Sequence, residues 1–339
     1  MEANTPEIPS LPSVAPKERE KKMPNVSLRV HFTAHATEED IKGLEQEFAD
    51  CDVFVPEWGG WSRSRGDREL LNDLTKGYLT PAYALRKIGI DSSSQMYGFW
   101  LRELEMMHDS QKPVTFVDIE ETTSIAQEQR KSTRLRGNIK QQVGKNSSHL
   151  LSLTEEYEDA KTNELVKREE NMAREVEPEI EKILEEYPHL KNKKDVKVLL
   201  MLGGMHTWVH HALDKEFQNV SRSFNAISFV MDYEAEAIRR RRFGKEVAQD
   251  LTAKVLLQLC TENFLFFSLN PVTRNSQKIM QYQRRILSKF SFDETKLLFE
   301  KAQGGEKLEA LFVERLREKD ILLPQSEAEL DAFLARNKK

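Results

Sequence analysis

The 339-residue chain has only two cysteines, Cys51 and Cys260, and no C-x-x-C spacing. That excludes a disulfide framework and a thiol-ligated metal or redox centre, and makes a reducing compartment the expected setting. Long apolar runs are missing too. Nothing approaches the ~18 consecutive apolar residues of a membrane helix, and the proline- and charge-rich first 25 residues lack the apolar stretch of a secretory signal. The expectation is a cytoplasmic protein with a disordered tail over 1–25. An excess of basic charge is absent as well: 51 lysines and arginines stand against 56 acidic residues, a formal net charge of -5. Such a chain has no general attraction for nucleic acid. Its most basic run, "IRRRRFGKE" at 238–246, follows "DYEAEA" and reads as a charged surface held in intramolecular pairs. No internal repeat occurs.

What remains is a chain that is 39% hydrophobic and 32% charged, large enough to bury a sizeable core. "VSLRVHFTAH" (26–35) reads as a strand, "TEEDIKGLEQEFADC" as a helix and "CDVFVPEWGG" (51–60) as a second strand. Strand, helix and strand within about 30 residues make a βαβ unit with parallel pairing. Further strands are expected at "KPVTFVDIEE" (112–121), "DVKVLLMLGG" (195–204) and, at a sheet edge, "SRSFNAISFVMD" (221–232), with a helix around "SQMYGFWLRELEMMHD". The 70 or so residues between the third and fourth strands, rich in charge and poor in β character, are too many for a bare loop, so they read as inserted helices with breaks near Gly137 and Gly144. The expected fold class is α/β: a small, mostly parallel sheet flanked by helices. It spans 26–232, carries a helical cap inserted at about 121–190, and is followed by a helical C-terminal region over 233–339.

Chemistry-bearing residues fall at the expected strand ends. His35 closes the first strand, Glu57 the second, Asp118 the third, and His206 follows the fourth in "GGMH". In an open parallel sheet these ends share one edge, where ligands collect. Two histidines and a carboxylate can hold a divalent metal that activates water, or work without metal as a general acid and base. Asp118 is placed to be a further ligand or to orient a histidine. His206 and His210 are four apart, so a helix starting after Gly204 puts both on one face toward one ion, although Thr207 stands where a zincin helix has its glutamate. The glycines beside these residues, Gly59, Gly60, Gly203 and Gly204, allow sharp turns and close backbone approach. Arg168, on a helical segment of the insertion, could clamp a carboxylate or oxyanion through its planar fork, or could sit on a solvated face. His31, His108, His149 and His189 have no partner pattern and read as structural.

The order "FTAH", "VPEWGG", "KREENMA" and "KVLLMLGGMHTWVHHAL" resembles the TraB/GumN/Tiki group of the erythromycin-esterase and ChaN-like superfamily over about residues 28–213. That group shows a G-x-x-H after its first strand, a glutamate ending its second, an E-R-[DN]-x-x-M-A-like helix and a second G-x-x-H. Here Phe32 stands where the first motif has glycine, and Lys167 and Glu169 where the helix motif has Glu and Asp or Asn; Gly203 to His206 is intact. The resemblance implies a central site of His35, Glu57 and His206 with Arg168 as helper. The activities it implies differ: metal-dependent peptidase, metal-free esterase, inhibitor of a peptide signal, or haem binder. The expected function is hydrolysis of an amide or ester bond, with or without one divalent metal ion. The alternative is capture of a peptide, small molecule or haem without chemistry.

Overall fold

The computed structural model describes residues 24–33, 39–57, 65–90, 97–118, 123–224 and 232–336. In chain order its first part runs β1 (Asn25–Thr33), α1 (Glu39–Asp50), β2 (Val53–Pro56), α2 (Arg65–Thr75), α3 (Pro81–Lys87) and α4 (Tyr97–Met107). The inserted helices follow as α5 (Thr123–Gln141), α6 (Ser147–Glu186) and the short α7 (Pro188–Lys191). The sheet resumes with β3 (Asp195–Gly203), α8 (Thr207–Glu216) and β4 (Asn219–Phe224). The remainder is α9 (Tyr233–Arg242), α10 (Gln249–Leu269), α11 (Ser276–Leu287), α12 (Phe292–Gln303), α13 (Leu308–Glu318) and α14 (Glu327–Arg336).

The strands form one four-stranded parallel sheet in the order β2-β3-β1-β4. Strands buried on both faces read as continuous apolar runs, and "VLLML" in β3 is such a run. On one face Val30, Phe32, Val55, Leu200 and Leu202 pack against Met172, Val176 and Ile183 of α6 and Val209 and Leu213 of α8. On the other, Phe54, Leu199 and Met201 meet Ile41, Leu71, Leu85 and Phe99 from α1 to α4. Full burial of each such side chain contributes about 1.5–3 kcal/mol. A third core joins α5 and the first half of α6, through Leu150 and Tyr157, to Leu256, Phe299 and Phe312 of the C-terminal helices. The 40-residue α6 extends for about 60 Å and is shared between two cores. Among the described residues no helix is long and apolar enough to cross a membrane.

Three expectations need correction. β1 and β2, expected to pair directly across α1, are separated by β3, whose long apolar run pairs with both of them. Residues 112–118 form no strand, only a single bridge between Phe54 and Val114, while 119–121 lie outside the described residues. The cause is local: the Asn72 side-chain amide donates to the Val114 carbonyl (3.3 Å) and accepts from its N–H (3.1 Å), taking the bonds of a further strand. Pro56, which lacks an N–H, ends β2 on the other side. Gly137 does not break a helix but lies within α5, whereas Gly144 does fall in the turn before α6. The expected edge strand forms over 219–224, and its continuation at 225–231 lies outside the described residues.

Candidate functional site

β2 and β3 are neighbours, so Glu57, one residue past β2, and the Gly203–Gly204 turn after β3 meet at the carboxyl edge. The Gly203 N–H donates to Glu57 Oε2. A methyl group on Gly203 would stand 3.1 Å from that oxygen, which explains glycine by close approach rather than by φ. The Gly204 N–H donates to the Thr33 carbonyl at 2.9 Å, extending the sheet by one bond and fixing where the chain turns into α8. His206 sits at the N-cap of α8 but makes no capping bond with its side chain. It turns instead to Glu57, with Nε2 3.2 Å from Oε1. Both residues are buried, His206 to 3% and Glu57 to 8% exposure.

Arg168 reaches the same oxygen from α6. Its Nη2 donates to Glu57 Oε1 at 2.8 Å and to Asp118 Oδ2, and its Nε donates to Asp118 Oδ1 at 2.9 Å. This is the bidentate fork expected of arginine on a carboxylate. Burial acts to lower the guanidinium pKa, and Glu57 and Asp118 reverse it, so the net shift is upward and the group stays charged. Next in sequence, Glu169 turns the other way. It is fully buried, its Oε1 lies 3.8 Å from His206 Nδ1, and its Oε2 accepts from Arg242 Nε of α9 at 2.8 Å. The Trp208 N–H, in the first turn of α8, also donates to it, so Glu169 satisfies a helix end that His206 leaves uncapped. Burial raises the Glu169 pKa, with His206 and Arg242 opposing. The Arg242 guanidinium lies over the Trp208 ring, 4.3 Å from its centroid.

The result is a line in which acids alternate with arginine and histidine side chains, Asp118, Arg168, Glu57, His206, Glu169 and Arg242, across the ends of β2 and β3. A cavity of about 340 Å³ opens beside its middle, lined by Glu57, Arg168 and His206, by Lys161 and Glu164 of α6, and by Ile238 of α9. The insertion and the C-terminal region therefore both wall the site.

Of the residues singled out in the sequence, Glu57, His206, Arg168 and Asp118 come together. His35 lies outside the described residues. His210 is not part of the group; its charged neighbours are Arg222, Asp214 and His211, and burial and Arg222 lower its pKa. Among the described residues no three His, Cys, Asp or Glu side chains gather as donors for a metal ion. The fit of the described donors is poor for a physical reason: the guanidinium of Arg168 already occupies the shared side of Glu57 and Asp118 where a cation would bind. Glu169 and Arg242 were not singled out. The signal for the first was its place beside Arg168, where the resembling motif has another acid or amide. For the second, it was the arginine run, whose pairs are indeed internal: Arg240 with Glu236, Arg241 with Glu158 and Asp159, Arg242 with Glu169.

Compared with protein families, with curated proteins and with solved structures, the chain matches none.

Proposed function

We propose that the chain is a hydrolase of an amide or ester bond, a reading carried by one observation: Glu57 and His206 are joined at 3.2 Å on the wall of a cavity at the carboxyl edge of a parallel sheet. Carboxylate and imidazole in contact can accept a proton from water and return it. In the proposed step, water gives its proton to the Glu57–His206 pair as its oxygen bonds to the carbonyl carbon. The oxyanion faces Arg168, whose Nη1 makes no hydrogen bond among the described residues. Collapse breaks the bond to the leaving group, which takes the proton back. Glu169 and Arg242 are positioning residues for His206 in this scheme. His35 is expected to join the site, and with its imidazole a divalent ion on Glu57 remains part of the proposal. The resemblance to the TraB/GumN/Tiki group supports the same residues. With Lys161, Arg168, Glu57 and Glu164 on its wall beside Leu165 and Ile238, the cavity suits a compact substrate carrying both signs of charge, such as a short peptide.

The test is turnover of a panel of nitrophenyl esters and fluorogenic dipeptide amides by the wild type, Glu57→Gln and His206→Ala, with metal content measured in each. The expected loss is ~10²-fold or more in both variants. Unchanged rates in both would overturn the proposal. A second reading, capture without chemistry, is favoured by the crowding of Glu57 Oε1, which already meets both Arg168 and His206. It predicts saturable binding with the ligand recovered intact.

A further inference from the structure

The helix α4 carries the sequence "YGFWLRELEMM", and its buried face is Phe99, Trp100, Glu103, Leu104 and Met107. Those positions follow helical spacing, so the stripe reads as an apolar face with one carboxyl in it. Two residues along, Glu105 shows the ordinary fate of a helical glutamate: it is exposed and paired with Arg102. Glu103 is fully buried, and neither carboxyl oxygen has a hydrogen-bond partner among the described residues. An ionised carboxylate left bare in such a place costs several kcal/mol, whereas a leucine would contribute to the core. Among the described residues, the charged group that acts on it is Glu57.

The described charged groups on the elements packed on α4 that have an assigned partner turn to other partners. Glu45 of α1 turns outward to Arg102, Arg68 of α2 reaches Glu179 of α6, and Arg86 and Lys87 of α3 lie by the Tyr83 ring. No described cation faces Glu103, and burial together with Glu57 pushes its pKa well up.

We propose that Glu103 is held as a neutral carboxylic acid within the apolar face of α4, so that it adds no further negative charge to the field acting on Glu57. The proposal rests on the reading of Glu57 as the working carboxylate, but the protonation state itself does not depend on turnover. Loss of the proton at high pH adds a negative charge to the field at Glu57 and raises its affinity for protons, so the site acquires an alkaline limit set from α4.

The experiment is infrared spectroscopy of the full chain at neutral pH, with Glu103→Gln as reference. The wild type is expected to show a carboxylic-acid carbonyl band that is missing in the variant and disappears on alkaline titration. In parallel, thermal unfolding is followed across pH. The folded chain binds this proton more tightly than the unfolded one, so wild-type stability falls relative to Glu103→Gln as pH rises above the ordinary carboxylate range. The gap in Tm should widen by about 3 °C or more between pH 5 and pH 9. Should Glu103→Gln fail to fold, titration of the wild-type band against that of Glu57→Gln decides the matter, because removing the neighbouring charge shifts the band's midpoint downward. Absence of the band at neutral pH, or a midpoint insensitive to Glu57→Gln, would overturn the proposal. Neither readout needs a substrate, so a failed hydrolase assay leaves it standing.

Discussion

His206 and His31 are both almost wholly buried, and each lies against a glutamate, yet the two regions are built differently. At the carboxyl edge each ring nitrogen of His206 faces its own carboxylate, Glu57 at 3.2 Å and Glu169 at 3.8 Å, with a cavity alongside. In mid-strand His31 turns Nδ1 to both Glu47 (3.1 Å) and Ser223 (3.0 Å), which also bond to each other. Its Nε2 is buried with no hydrogen-bond partner among the described residues, as is Nδ1 of His206, but only the latter has a carboxylate within 4 Å of it there. Serine, histidine and glutamate are thus gathered on the α1 face of the sheet, but both partners crowd one nitrogen, and a nucleophilic triad needs them on opposite nitrogens. A buried histidine beside an acid becomes a candidate site only where topology adds a strand end, a glycine turn and open space.

The largest expected difference lies in activity. His206→Ala should cost ~10²-fold or more in turnover, while His31→Ala should keep the rate and lower only the Tm; equal rate losses would erase the distinction. Next comes the arginine that each region offers its glutamate. Arg242→Ala leaves the buried Glu169 without its arginine, with only the Trp208 N–H and His206 beside it, and should destabilise by about 3 kcal/mol in urea unfolding. Arg29→Ala removes a half-exposed partner 3.9 Å from Glu47 and should cost a few tenths. A smaller effect is expected from Gly203→Ala, whose methyl group crowds Glu57 Oε2. It should cost about 1 kcal/mol with a larger fall in turnover, and a rate close to wild type would show that Glu57 tolerates displacement. The smallest is an acid effect at His31. Burial lowers its pKa against the opposing pull of Glu47, so the unfolded chain takes up this proton first and stability is lost as pH falls below about 6.5. Chemical unfolding of His31→Gln should lack that part of the loss.

The α/β class, the parallel direction of the strands and the edge position of β4 were legible in periodicity and in the spacing of β1, α1 and β2, but the insertion of β3 between β1 and β2 was not, because spacing along the chain does not say which strand arrives as a neighbour. The run at 112–118 has β-branched residues and the right length, but whether it becomes a strand depended on Asn72, forty residues away, occupying its backbone groups. Spacing along the chain carries no trace of such a side chain. For the site, strand ends were the readable signal, and they located Glu57 and His206; Asp118 reaches the same place through Arg168 although its expected strand does not form. His206 and His210 share helical spacing, yet His206 precedes α8 as its N-cap and is turned by its own φ of -86° and ψ of 29° toward Glu57. Glu103 and Glu169 were hidden because a glutamate in a helix is ordinarily a surface residue, and only packing tells which one points inward. Arg242 comes from a region that the strand-end argument did not reach.

Arg168 and Glu169 are consecutive residues of one continuous helix, about 100° apart around its axis, and they hold opposite ends of the Glu57–His206 pair. Their separation is therefore set by backbone geometry and not by loop conformation. Both contacts depend on the placement of one rigid element, so a change in the seating of α6 reaches both ends of the pair at once. The C-terminal core, which holds the first half of that helix, sits at the far end of the same beam.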